Sequence, residues 1–367
     1  MRRGAFILLV FLLSCVLPAR AQEDRLHELK ERTETLEKKA REKTAEVMEK
    51  AAHARDTTEK ILRRVDRRMY RQQHRTKVDS AYIAIPEERW TIKTTSNLNW
   101  NGLGINHFAD GEGYGSWVQS SPKFSQGISV AWRWLEIGAS INPAWFFPSL
   151  KNDDQSYSIS VFGNKFGLTA TMRYANTYKG TIWTLPDSTS VSIPLGKTSD
   201  LSGDFDAYYA FNGDKFSFPA AFSMMQIQKR SAGSVILSLS VRNGRTIFDG
   251  ITYQDTEQMK LYSNMLAVGA GYGHNFVTPS HWLFHVSTMG NLTLLSYNKV
   301  VTSTENYRLK QTFPDWITSF QLAALHWKDK WFYGANLTIR SAIYGKREEL
   351  EFINARVEGN LVFGFRF

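Results

Sequence analysis

Residues 353–367 close the chain with Ile-Asn-Ala-Arg-Val-Glu-Gly-Asn-Leu-Val-Phe-Gly-Phe-Arg-Phe. Taken at every second residue, the stretch separates into two faces. Ile353, Ala355, Val357, Gly359, Leu361, Phe363, Phe365 and Phe367 form one; Asn354, Arg356, Glu358, Asn360, Val362, Gly364 and Arg366 form the other. Alternation this long is a strand with one apolar and one wet face. At ~3.3 Å per residue it is about as long as a tilted membrane strand. Its apolar face ends in aromatic rings, so Phe363, Phe365 and Phe367 read as a C-terminal assembly signal. The expectation is the closing strand of an outer-membrane β-barrel, apolar side to lipid and polar side to the lumen.

Working backwards, eleven more period-two segments precede it: 90–100, 124–134, 135–143, 155–164, 166–176, 203–212, 233–243, 258–272, 281–296, 316–327 and 330–344. The fold class read from them is all-β, an antiparallel up-and-down transmembrane barrel of about 12 strands, preceded by a long charged α-helix. Trp and Tyr gather near segment ends, at Trp90, Trp100, Trp132, Trp134, Trp282, Trp316, Trp327 and Trp331, as headgroup-level girdles require. Asn152-Asp153-Asp154, Asn212-Gly213-Asp214, Asn243-Gly244 and Lys328-Asp329-Lys330 read as turns. Residues 179–200, with Pro186 and Pro194, read as a long external loop. A soluble β-sandwich is the structural rival; it accounts for the alternation but not for the aromatic excess and terminal Phe together.

Residues 1–21 carry Arg2 and Arg3, an apolar run from Ala5 to Leu17, and Ala19-Arg20-Ala21. They read as a signal peptide cleaved before Gln22, with a lipoprotein site at Cys15 as the rival. The chain's single cysteine lies there, so residues 22–367 have no disulfide, thiolate metal site or Cys nucleophile. No metal or cofactor is expected. Three of the 45 basic residues fall in that segment, leaving +7 of the formal +10 on the rest. Export argues against nucleic acid as the partner of this charge. Outer-membrane lipid, lipopolysaccharide and the barrel-assembly machinery are the expected partners.

Residues 22–79 hold 17 basic and 13 acidic residues with no Gly, Pro, Trp or Phe, which predicts a long charged helix in the periplasm. Leu26, Leu29, Leu36, Ala40, Val47, Ala54 and Ile61 form a seam broken by Thr33, Lys43, Lys50 and Thr57. A solvated single helix and self-association through residues 22–62 both fit it. The barrel is expected over 80–367.

Phe216-Ser217-Phe218-Pro219-Ala220-Ala221-Phe222-Ser223, followed by Gln228-Lys229-Arg230-Ser231-Ala232-Gly233-Ser234, resembles a block of an uncharacterised family of Gram-negative outer-membrane β-barrel-like envelope proteins, domain of unknown function family 4421. Gly271-Tyr272-Gly273-His274-Asn275 leading to Trp282-Leu283-Phe284 is similar to its later block. The resemblance spans roughly residues 79–367 and implies a barrel-like envelope protein without an assigned activity.

Lys229, Arg230, Ser231 and Ser234 are candidates for cradling an anion. Arg133, Arg173, Asp204, Asp206, Arg242, Arg340, Arg356 and Glu358 fall on predicted lumen faces, where charges pair or line a selective pore. The expected role is a passive pore, scaffold or envelope receptor. The alternative is a hydrolase acting on lipid or peptide at the rim, for which His285 and Ser287 share a face. His281 and His285 lie ~13 Å apart on an extended strand, too far to chelate one metal. Gly269-Ala270-Gly271-Tyr272-Gly273 lacks the lysine of a phosphate loop.

Overall fold

The computed structural model describes residues 19–75, 78–109, 112–120, 122–142, 155–176, 178–185, 190–194, 196–253, 256–302, 306–309, 315–346 and 350–367. Residues 1–18 of the signal-peptide reading and the Asn152–Asp154 turn lie outside them. The chain divides into two units, Met1–Met69 and Tyr70–Phe367. Helix α1 (Ala19–Arg75) is exposed at every described side chain but Asp66, which is half-buried, and Glu46–Lys50, Asp56–Lys60 and Glu59–Arg63 pair along it at i,i+4. With the acid N-terminal to the base, each pair adds a few tenths of a kcal/mol, about 0.2–0.5, to a helix without breakers.

The second unit runs β1 (Ile83–Ala84), β2 (Trp90–Ala109), β3 (Glu112–Ser120), β4 (Lys123–Trp132), β5 (Leu135–Ile141), β6 (Gln155–Phe162), β7 (Phe166–Ala175), β8 (Tyr178–Leu185), β9 (Ser190–Ile193) and β10 (Thr198–Ala210). The short helix α2 (Phe218–Phe222) follows, then β11 (Ile227–Gln228), β12 (Ala232–Tyr253), β13 (Thr256–Val277), β14 (Trp282–Val301), β15 (Asn306–Leu309), β16 (Trp316–Lys328), β17 (Trp331–Lys346) and β18 (Leu350–Arg366). Twelve of these, β2, β4, β5, β6, β7, β10, β12, β13, β14, β16, β17 and β18, form a closed antiparallel barrel. Closure pairs β18 with β2 from Glu351↔Asn106 to Arg366↔Thr91. Beyond that ladder the Trp90 N–H donates to the Phe367 carbonyl at 3.0 Å, and the Phe367 N–H to the Trp90 carbonyl at 2.9 Å. Each of the twelve alternating segments builds one barrel strand.

Alternation is carried through to burial. On β4 Phe124, Ile128 and Val130 are exposed while Ser125, Gly127 and Ser129 are buried; on β18 Leu361 and Phe363 point out, Val362, Gly364 and Arg366 in. Rings cluster on the outer wall at the end where the chain closes: Trp90 stacks on Trp132 at 5.8 Å, and Trp331 lies 4.4 Å from Phe365. A closed ladder satisfies its own backbone, so such a wall can stand in hydrocarbon. Exposed apolar side chains on every barrel strand would be costly in water.

Two readings need correction. The external segment read over residues 179–200 carries strands where it is described: β8 and β9 pair with each other, β8 pairs with β3, and β10 has begun by Thr198, while residues 186–189 and 195 lie outside the described residues. Asn243-Gly244 is no turn. Both lie mid-ladder in the 22-residue β12, opposite Asn264 and Ser263, with neither in the left-handed region. A hairpin of this dipeptide needs positive φ at both residues, and the long register with β13 overrides it. The turn at Asp329 does adopt φ 51, which Asp tolerates.

Candidate functional site

Connections at the closing end are short except one. Between β10 and β12 the chain spends residues 211–231, and these enter the lumen. Ser217 caps α2, its hydroxyl accepting the Ala220 N–H at 3.0 Å, and Pro219 sits in the first turn, where its missing N–H costs nothing. Met224, at φ 60, reverses the chain toward β11, which pairs with β1. Ala220, Ala221 and Met224 pack on the lumen-facing Leu283, Ala323, Leu325, Phe332 and Val362. Phe216 is wholly buried, and the missing side chain of Gly273 makes its room, since a Cβ there would lie 3.1 Å from the Phe216 ring.

Polar contacts pin this plug to the wall. Arg366 donates from Nε and Nη2 to the Met224 carbonyl at 3.2 and 2.8 Å, with its guanidinium over the Phe332 ring. Asn275 Nδ2 donates to the Ser217 carbonyl at 2.8 Å and to Gln228 Oε1 at 3.0 Å. Its Oδ1 therefore faces His285 Nδ1 as acceptor, at 2.6 Å. That places the proton on Nδ1 and sets His285 Nε2 2.9 Å from Ser287 Oγ, a hydroxyl that has a second acceptor in Gln321 Oε1 at 3.3 Å. Hydroxyl, imidazole and orienting amide are thus in line. The group is buried, ringed by Phe216, Phe218 and Phe222.

Halfway along the lumen lies a charged belt. Asp204 Oδ2 accepts from Arg173 Nη1 at 2.6 Å and from Arg356 Nη1 at 2.8 Å; Arg173 Nη2 reaches Glu358 at 2.8 Å, and Arg340 reaches Asp206 at 3.0 Å. In the ladder order β10 and β18 are diametrically opposed, with five strands between them in either direction. A circular twelve-strand barrel has a backbone diameter of about 24 Å at ordinary tilt. An arginine and an aspartate laid end to end fall well short of that, so the barrel is flattened where they meet. Beyond the belt the far end is apolar: Leu103, Ile105, Val118, Tyr178, Phe248, Tyr344 and Phe352 form one buried cluster, with Tyr344 stacked on Phe352.

Between belt and plug remains a chamber of about 360 Å³, lined from every barrel strand but β13. Across the belt, the void beside Asn101, Asp200 and Arg356 measures about 20 Å³, room for a single water. The lumen is thus filled in layers, with the chamber lying between two of them.

Of the residues singled out from sequence, Arg173, Asp204, Asp206, Arg340, Arg356 and Glu358 meet in the belt, with Arg242 beside them. Arg133 does not: it occupies the turn after β4 in the left-handed conformation. Lys229, Arg230, Ser231 and Ser234 do not converge on an anion cradle. Lys229 Nζ donates to the Ser80 carbonyl, Arg230 lies over Tyr82, Ser231 accepts the Val277 N–H and Ser234 the Asn212 N–H. Phe363, Phe365 and Phe367 lie along the outer wall beside Trp331. His281 sits in the β13–β14 turn at φ 63, away from His285. Sequence reasoning missed the plug. Its signal was a Phe- and Ala-rich stretch in a connection at the end where turns are short.

Fold and site together define a closed outer-membrane-type β-barrel with an occupied lumen. The chain belongs to a family described as a domain of unknown function, DUF4421, whose model matches residues 77–367. No curated protein matches it. Among solved structures it is similar to the translocator domain of the autotransporter NalP from Neisseria meningitidis, at 12% identity and TM-score 0.35, covering 85% of this chain and 98% of that one. The outer membrane protease OmpT from Escherichia coli gives 6% and 0.39 over 77% and 98%, and the β domain of the Bordetella autotransporter BrkA 9% and 0.33 over 77% and 100%.

Proposed function

We propose that this protein is a closed envelope barrel of the receptor or scaffold kind, and not a passive pore. The observation that carries the reading is the Arg356–Asp204–Arg173–Glu358 staple across the lumen, backed by the plug on one side and the apolar cluster on the other. Each ion is paired inside low-dielectric walls, and separating them for solute passage costs several kcal/mol per ion. In this reading the two chain termini of the barrel and α1 lie in the periplasm, the hairpins β2–β3 and β8–β9 face outward, and lipid and lipopolysaccharide contact the wall. Residues 63–77, rich in arginine, lie near inner-leaflet phosphates, and α1 is the surface for self-association through residues 22–62. Planar-bilayer recording of the purified protein tests it. No steady conductance is expected; a stable open level in the unmodified protein overturns the reading.

A hydrolytic role has one observation in its favour, the alignment of Ser287, His285 and Asn275. Their burial under three phenylalanines leaves no path for a substrate, so the group ties plug to wall. Ser287 is expected to resist a fluorophosphonate probe in intact protein; stoichiometric labelling lost in Ser287→Ala would reinstate the enzyme.

A further inference from the structure

When the charges around the chamber are paired off, one cation is left over. Lys93, Arg173, Arg242 and Arg340 line it with only three carboxylates, Glu136, Asp206 and Glu358. The belt above adds Asp204 and Arg356, one of each sign. Every one of these carboxylates is already held. Glu136 takes Lys93, Asp206 takes Arg340 and the Ser240 hydroxyl, Asp204 takes Arg173 and Arg356, and Glu358 takes Arg173. Asp200 lies about 13 Å along β10 from Asp204, across the belt, where it accepts from Thr246. Arg242 stands opposite Asp204 in the β10–β12 ladder, yet among the described residues it forms no ion pair and donates no hydrogen bond. A cation inside low-dielectric walls without a counter-charge is costly, and its presence points to an anion that completes the pairing.

The surroundings narrow the kind of anion. Arg242 Nε is closed off in the wall, so Nη1 and Nη2 form the end presented to the chamber. Two N–H groups side by side on a planar fork match the two oxygens of a carboxylate. In the flattened barrel β17 faces β12, and Arg340 crosses from it to Asp206. Thr338, two residues nearer the plug on β17, also lines the chamber; its hydroxyl is not closed off and makes no hydrogen bond among the described residues. Phe218 and Phe222 of the plug supply an apolar floor. At about 360 Å³ the chamber is at the small end of ligand sites, which run from roughly 300 to 1,000 Å³.

We propose that this chamber binds a small organic monocarboxylate, its carboxylate on Arg242 Nη1 and Nη2 with Thr338 as a second donor, and its apolar body toward Phe218 and Phe222. One negative charge balances the lining, whereas a dianion overshoots it. The inference deepens the receptor reading and rests on the lumen being closed. Bilayer recording tests that closure separately: an open pore removes the receptor reading, whereas a closed barrel that ignores carboxylates removes only this inference.

Isothermal titration calorimetry on the full-length protein in non-ionic micelles makes the test, with benzoate as the probe and benzamide as its uncharged counterpart of similar shape. Saturable one-site binding of benzoate is expected, weakened by high chloride, which competes for the same guanidinium. Benzamide should bind at least about ten-fold more weakly, and Arg242→Met should lower benzoate affinity by at least the same factor. Thr338→Val keeps the branched shape and should weaken it about 2- to 10-fold. Because Arg242 holds no carboxylate, Arg242→Met should leave unchanged or raise the temperature at which the compact band of unboiled protein unfolds on a gel. A fall there would assign the cation to the belt and overturn the proposal. To keep slow passage past the plug from hiding a site, the same titrations are run on Arg366→Met, which loosens the Met224 anchor. The proposal is overturned if benzoate binds to neither the unmodified protein nor Arg366→Met, or if its binding ignores Arg242→Met or Thr338→Val. It is equally overturned if benzamide binds as well as benzoate, or if inorganic phosphate binds more tightly and displaces it.

Discussion

Arg356 shows how much one side chain decides here. It donates to Asp204 and Asn101 and is 8% exposed, so its charge is balanced inside the barrel and nowhere else. Arg356→Met leaves Asp204 with Arg173 alone and Glu358 short of a neighbour. Loss of about 3–5 kcal/mol is expected, as for any broken buried pair. The readout is the temperature at which the compact band of unboiled protein converts to the unfolded band on a gel; it should fall. Adding Asp204→Leu should recover part of the fall, since removing both charges spares the orphan. At the other end of β18, Arg366 holds the plug by one carbonyl. Arg366→Met should leave that temperature less affected than Arg356→Met, because its loss frees the plug without leaving an unpaired carboxylate.

At the scale of elements, the plug and the long strands make separate claims. Replacing residues 217–226 by a short flexible linker should open the chamber toward the closing end without creating a through-pore, since belt and apolar cluster remain. Ser240→Cys lines the chamber in a chain whose own cysteine, Cys15, is far upstream. A membrane-impermeant thiol reagent should label it at least ten-fold faster after the replacement, with no conductance gained. Conductance appearing at once would mean that the belt does not seal. Gly244 tests the strand claim. A Cβ there meets nothing nearer than the Ser263 carbonyl at 3.9 Å, and its backbone is extended. Gly244→Val should thus be neutral or stabilising by up to about 1 kcal/mol, as a β-branched residue in a strand. In the turn read from Asn243-Gly244 the same change would be strongly unfavourable, so the melting shift separates the two.

For the whole molecule, the question is what closes the barrel. Trp90 and Phe367 exchange two backbone hydrogen bonds past the end of the β2–β18 ladder, and Phe367 lines up behind Phe365 on the outer wall. Deleting Phe367 removes both bonds and one ring. Refolding into micelles should yield less compact protein, read from the same gel, while any molecules that do fold should keep the normal conversion temperature within a few degrees.

Much of this is legible in the sequence. Period-two alternation exposes a strand because side chains on a pleated ladder can only point two ways, so twelve such runs name twelve strands and their lipid and lumen faces. The belt residues followed, because a residue's parity along its strand sets its side of the wall. Parity says nothing about distance across the lumen. That Arg356 of the last strand meets Asp204, and that residues 211–231 turn inward under a cap of phenylalanines, depend on ladder order, register and flattening. Those are properties of contacts between segments far apart in the chain, and local pattern does not encode them. The amino-acid order determined that a barrel forms and which face meets lipid; the tertiary structure alone decided that its interior is filled, because only closure brings opposite walls within reach of one another.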